Sequence, residues 1–267
     1  HGLGSPDHRK NLSGFHSGFG YTLGLSATPE REYDRDGSAF INKEIGDVVY
    51  RFSLADAIRR GILTEFDYVP LKYTLSPEEK KKVSRCFAMK SGLDDGGGTD
   101  EEVYRCIASV YKLAQSKLAS FSDYISKDPS VLERAIIFVH HTEYGKRVME
   151  LLQAQTHNYK GYFSGEEKKY LMDFAANKIS TLVTCHRVSQ GIDIRDVSTV
   201  VLFSSDRARL ETIQRIGRCL RIDPNNPEKR ALVVDFLYDP ESDGEPRRAD
   251  VEREQWLTEL SEVKRDE

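Results

Sequence analysis

From Arg134 to Phe236, short apolar runs alternate with longer stretches whose apolar residues recur every three or four positions. The runs at 135–139, 159–163, 181–185, 199–203 and 231–236 read as buried strands, and 142–152, 167–176 and 211–219 as amphipathic helices. Strands that are apolar throughout and alternate with helices predict an α/β fold: a parallel sheet covered on both faces. Upstream, 21–25 reads as a short strand ending at Ser26-Ala27-Thr28-Pro29, and 30–53 as polar and irregular. Leu54, Ala57, Ile58 and Ile62 fall at helical spacing with Gly61 placed to close the helix, and 66–75 reads as a strand. Ser76 with Pro77 and Glu79, and Thr99 with Glu102, are capping signals for two helical starts. Val103, Ile107, Val110, Ala114, Leu118 and Phe121 then mark one face of a single long helix, so 76–132 is predicted to be a helical insertion. Residues 240–267 are highly charged and read as a solvated tail or a peripheral helix around Trp256.

Composition narrows the class. The chain has 267 residues, enough for one or two domains with a core that needs no staples. With 39 Lys and Arg against 43 Asp and Glu, the net charge is -4, so any nucleic-acid contact requires a local basic face. The apolar runs are strand-sized and too short to cross a membrane, and no signal peptide opens the sequence. Cys86, Cys106, Cys185 and Cys219 form no C-x-x-C, and reduced thiols in an intracellular compartment are the simplest reading.

The densest candidate chemistry is Gln214-Arg215-Ile216-Gly217-Arg218-Cys219-Leu220-Arg221. Three arginines at spacing three share one stripe of a predicted helix, and guanidinium groups fixed in this way suit phosphate oxygens. A solvated basic face is the plain alternative. Ser189-Gln190-Gly191-Ile192-Asp193-Ile194 follows the strand at 181–185, beyond a strand's carboxyl end, where open α/β sheets bind ligands. The plain reading of Asp193 is a cap or turn residue.

Taken together and in this order, these stretches resemble the superfamily 2 helicases and translocases: Ser26-Ala27-Thr28 is similar to motif III, 189–194 to motif V and 214–221 to motif VI. Residues 135–141 are similar to motif IV, and Phe163-Ser164-Gly165-Glu166 to the segment after it. Leu25–Arg31, the stretch from Ser53 to Ile58 and Leu182-Val183-Thr184-Cys185 resemble the XPB-type and restriction-subunit-type branches, which act mainly on double-stranded DNA. Cys185 and Gln214 depart from the DEAD-box pattern.

The resemblance implies the end of a first RecA-like lobe and connector at 1–53, a linker at 54–75, the insertion at 76–132, a second RecA-like lobe at 133–240 and a charged tail at 241–267. It implies ATP and Mg²⁺ as cofactors. Arg218, Arg215 and Gln214 are the catalytic candidates, with Arg218 as arginine finger, and Gly191, Asp193, Arg215 and Arg218 would contact the nucleotide. His141, Ser164, Gly165, Thr184 and Ser189 would contact the nucleic-acid backbone, and Ser26, Ala27 and Thr28 would couple the lobes. DNA, in preference double-stranded, is the implied partner, with nuclease or other restriction or repair subunits; the implied location is cytoplasmic, or nuclear in a eukaryote. An RNA helicase and a catalytically silent scaffold lobe are the rival readings. No G-x-x-x-x-G-K-[ST] phosphate loop occurs in the chain, and no Asp-Glu pair precedes Ser26. His1 suits the closing histidine of a D-E-x-H motif, an expression-tag remnant being the other reading, so a C-terminal piece that hydrolyses little ATP alone is expected.

Overall fold

The structure is a computed structural model that describes residues 2–26, 34–89, 99–163, 165, 168–185, 194, 196–204, 209–240 and 244–266. Its centre is a six-stranded, all-parallel sheet in the order β1-β6-β5-β2-β4-β3. The strands are β1 (Phe66–Tyr73), β2 (Ala135–Phe138), β3 (Tyr159–Tyr162), β4 (Thr181–Thr184), β5 (Thr199–Leu202) and β6 (Ala231–Tyr238). Each lies within a residue or two of its predicted run. β1 pairs with β6 from Phe66 opposite Ala231 to Tyr73 opposite Tyr238, joining the two ends of the lobe.

Alternate residues of the buried strands feed two cores, as the side-chain period of two requires. Ile136, Phe138, Leu182, Val200, Leu202 and Val233 point to one face. There they meet Ile58 of α3 (Leu54–Arg59), Phe174 of α8 (Lys169–Ala175), Ile216 of α9 (Arg209–Ile216) and Leu257 of α10 (Arg248–Ser261). Ile137, Val183, Val201, Val234 and Phe236 point to the other face. They meet Phe121 and Ile125 of α6 (Ser116–Lys127) and Tyr144, Val148 and Leu152 of α7 (Thr142–Leu152). No helix among the described residues is long and apolar enough to cross a membrane.

The capping signals act as the sequence predicts. Ser76 with Glu79 and Thr99 with Glu102 form reciprocal capping boxes that open α4 (Pro77–Ala88) and α5 (Asp100–Lys112), and a third box outside those predicted, Ser53 with Asp56, opens α3. Gly61 follows α3 with φ of +61°, a left-handed conformation that glycine adopts without penalty.

Several expectations are corrected. Among the described residues no strand forms at 21–25, where Tyr21, Leu23 and Leu25 are 99%, 80% and 86% exposed. Residues expected to be irregular contain α2 (Arg35–Ile45), capped by the Asp34 carboxylate, which accepts from the Gly37 amide at 2.8 Å. Its buried face carries Glu44, held by the Gly14 amide and the His16 ring. An acid at a core-facing position hides the apolar period.

The single long helix is two, α5 and α6. Tyr144 donates its hydroxyl to the Ala114 carbonyl at 2.8 Å, and the Gln115 amide donates to Glu79 Oε1 at 3.0 Å, so neither group serves an unbroken helix. Of the two readings of the charged end, the helix around Trp256 forms, as α10, and not the solvated tail. In α10, Leu257 and Leu260 are buried, and Arg253 Nε donates to the buried Asp235 at 2.7 Å. Cys86 and Cys106 are not reduced thiols: they form a disulfide between α4 and α5 with Cα atoms 5.8 Å apart, while Cys185 and Cys219 are free.

Candidate nucleotide and nucleic-acid site

After β2 the chain builds the sheet toward one edge through β3 and β4, then crosses over to β5 and β6 on the other side. The reversal opens a crevice at the carboxyl ends of β2 and β5, the place where open α/β sheets bind ligands. The Ser204 amide spans it, donating to the Phe138 carbonyl at 3.3 Å.

Arg215 reaches this crevice. Its guanidinium is buried, donates to the Ser204 carbonyl and to Glu211 one turn back on α9, and lies over the Phe138 ring at 5.0 Å. The fork is thereby committed to its own lobe. Gln214 is exposed on the same helix. The predicted helical stripe of three arginines does not form, because α9 ends at Ile216. Gly217, Arg218 and Cys219 continue as a tight turn in which Arg218 N donates to Arg215 O at 3.1 Å and Cys219 N to Ile216 O at 3.0 Å. A Cβ at Gly217 would stand 3.0 Å from the Ile213 carbonyl, so glycine permits the close turn. Arg218 is half-buried on that turn. Arg221 lies beyond it, in an antiparallel bridge with Leu63.

The backbone-contact candidates follow the carboxyl edge in sheet order. His141, after β2, is exposed and caps α7, its Nδ1 accepting from the Tyr144 amide at 3.2 Å. Thr184 closes β4. It is fully buried, and its hydroxyl donates to the Tyr162 carbonyl at 2.8 Å, which ties β4 to β3. Gly165, after β3, has φ of +87° with open space around its missing Cβ. Ser26, after the segment at 21–25, is exposed. Gly191, Asp193, Ser164, Ser189, Ala27 and Thr28 lie outside the described residues.

Lys117 escapes the motif reading altogether. From the first turn of α6 it drives under the sheet edge, buried, and Nζ donates to the Phe203 carbonyl at 3.0 Å, one residue before the carbonyl that Arg215 holds. The ammonium lies 4.6 Å from the Tyr73 ring centre and 5.7 Å from that of Phe236. Burial pushes its pKa down to about 7. Its only sequence signal is a lysine four residues before the core-facing Phe121, a weak one.

The model of the helicase conserved C-terminal domain matches residues 116–223, from α6 through the arginine turn. Residues 116–223 are thus similar to the helicase conserved C-terminal domain. The match begins at α6, which packs on the sheet, and leaves α4 and α5 outside it. Two curated relatives resemble a longer stretch. The chain is 23% identical over 241 residues to the DNA 3'-5' translocase XPB2 of Sulfurisphaera tokodaii, covering 81% of this chain and 52% of that protein. It is 24% identical over 223 residues to a protein named as helicase 22 in a Sulfolobus islandicus filamentous virus, covering 81% of this chain and 37% of the viral protein. The chain thus spans about half or less of each relative. The fold matches a fragment assigned to the HsdR subunit of a type I restriction enzyme from Vibrio vulnificus, with a TM-score of 0.52 and 20% identity over 82% of this chain and 41% of that one. The RecA-like architecture of the helicase C-terminal domain is therefore the fold of the sheet and its flanking helices.

Proposed function

We propose that the chain is the C-terminal part of an ATP-dependent DNA helicase or double-stranded DNA translocase, to which it contributes an arginine finger and contacts to the nucleic-acid backbone. The observation that carries this reading is the helicase C-terminal match over 116–223, which contains the turn bearing Arg218. Likeness to a protein named as a DNA translocase favours DNA over RNA.

The residues present fit one side of a nucleotide site. Arg218, half-buried on the turn after α9, would act as the finger. Arg215, bound to Glu211 and Ser204, holds the finger's base in position. Gln214 is exposed beside them, and Gly191 and Asp193 would receive the ribose and phosphates. ATP supplies the phosphoryl group that passes to water. No group of three or more His, Cys, Asp or Glu side chains that could hold a metal lies among the described residues, so no Mg²⁺ ligand is assigned to them. The phosphate loop is likewise absent from the sequence, and this chain by itself is expected to turn over little ATP.

His141, Ser164, Gly165 and Ser189 would meet phosphates along the carboxyl edge, with Thr184 positioning the β4 end rather than touching the strand. Such contacts position nucleic acid without reading its sequence. Ser26, Ala27 and Thr28 would relay the state of the nucleotide. ATP turnover by the full-length protein, measured with duplex DNA, single-stranded DNA or RNA added, tests the proposal. Stimulation by duplex DNA is expected. Stimulation by RNA alone would move the protein to the RNA helicases, and no turnover with any of them would leave a silent scaffold lobe.

A further inference from the structure

The helical hairpin outside the helicase match carries a feature that this function does not use. At its base the hairpin is tied to the lobe several times. Glu79 accepts from the Ser76 amide at 2.9 Å and the Gln115 amide at 3.0 Å, Tyr144 donates to the Ala114 carbonyl, and Tyr73 donates to the Tyr111 carbonyl at 3.4 Å. Further out the anchoring thins. Phe87 and Met89 at the end of α4 are 55% and 48% exposed, and Val103 is the buried apolar residue of α5. The disulfide between Cys86 and Cys106 links the outer half of α4 covalently to α5.

Both cysteines line a cavity of about 700 Å³ whose other walls include Met89, Val110, Tyr144 and His141. Lys82, Arg85 and Arg147 stand around the same cavity and outnumber its two carboxylates, Glu79 and Glu143. Cations there favour thiolates, both an attacking one and the leaving one, which is what thiol–disulfide exchange requires. Cys86 is buried and Cys106 is half-buried, so attack comes at the Cys106 sulfur.

We propose that Cys86 and Cys106 form a reversible redox clamp, opened by small dithiols that enter the cavity they line, and that opening it frees α4 from α5 beside the His141 end of α7. A dithiol thiolate attacks Cys106 Sγ, the S–S bond breaks, and Cys86 leaves as a thiolate that takes up a proton. The second thiol of the reagent then displaces Cys106. The reagent becomes a disulfide, and two electrons and two protons reside on the cysteine pair. The clamp stands whether or not the ATPase reading does.

The test is hydrogen exchange of the 267-residue chain in air-equilibrated buffer, with and without dithiothreitol, beside alkylation mapping with iodoacetamide. Before reduction, a linked peptide pair containing Cys86 and Cys106 is expected, with neither alkylated. Dithiothreitol without denaturant opens the pair to alkylation and speeds exchange in 77–88 and 100–112 by roughly tenfold or more, while 135–138 and 199–202 stay slow. Cys86→Ser exchanges quickly in the hairpin with or without reductant. If that variant does not fold, the oxidised and reduced wild-type chains still decide the matter. Cys185→Ser keeps the full response. Cys219 is buried, with its thiol pushed up to about 12 by that burial, and stays unmodified. Alkylation of both clamp cysteines before reduction, resistance of the linkage to dithiothreitol in the folded chain, or equal hairpin exchange in both states would overturn the proposal.

Discussion

A lysine ammonium placed among aromatic rings loses most of its hydration, and Lys117 recovers only part of that loss through the Phe203 carbonyl and the faces of Tyr73 and Phe236. Asp250 and Asp235 favour its charged form, while Arg247 and Arg253 oppose it. The folded pKa lies at about 7, below the ordinary 10.5, so between those values the unfolded chain binds more protons than the folded one. Stability from this group therefore rises with pH across that window, by at most about 1.4 kcal/mol per pH unit. Thermal unfolding of the wild type and Lys117→Met at pH 7 and pH 9.5 checks this. The wild type should gain on the variant at the higher pH, and a constant difference would refute the burial account. Lys117 also shows where a sequence stops being informative. The arginine motif is visible as a string, and Glu211 four residues before Arg215 is a readable helical ion pair. A lysine's path under a sheet edge depends on neighbours 86 residues away and leaves no local trace.

Elements were legible wherever their burial was one-sided or complete. The strands and α7 stand out because an apolar run or a 3.6-residue stripe is what a parallel sheet and its cover require. The misses share a cause, since each turns on polar groups satisfied through tertiary contacts. Glu44 replaces an apolar residue on the inner face of α2, Tyr144 and Glu79 end α5 by taking its backbone partners, and Arg253 pins α10 to the sheet. The last is a buried network. Arg253 bonds Asp235, Asp250 and the Phe236 carbonyl, and Asp250 in turn accepts from the Tyr238 amide. Removing one member leaves buried charge uncompensated, so Arg253→Met should cost about 3–5 kcal/mol in chemical denaturation. Arg248→Met, on the exposed side of the same helix and paired with Glu252, should cost under about 1 kcal/mol. Equal costs would mean that α10 is not held by its network. The disulfide was missed because two cysteines 20 residues apart declare nothing until α4 and α5 fold back on each other.

At the scale of the whole molecule, the parallel sheet gathers His141, Thr184 and Gly165 along one edge and sets Arg218 on a turn beside the crevice between β2 and β5. The order of motifs along the chain foretold this gathering, because every strand in a parallel sheet delivers its following loop to the same edge. The exposed Tyr21, Leu23 and Leu25 belong to none of the six strands of that sheet. The central claim is that Arg218 completes a nucleotide site driven by DNA. The measurement that meets it most directly is duplex-DNA-stimulated ATP turnover by the full-length protein, wild type beside Arg218→Ala, with folding of the variant confirmed by its unfolding midpoint. Arginine fingers contribute about 10³–10⁵ in rate in related phosphoryl transfers. A loss on the order of 10³ or greater with nucleic-acid binding retained is the predicted result; turnover within a few-fold of wild type would contradict the account.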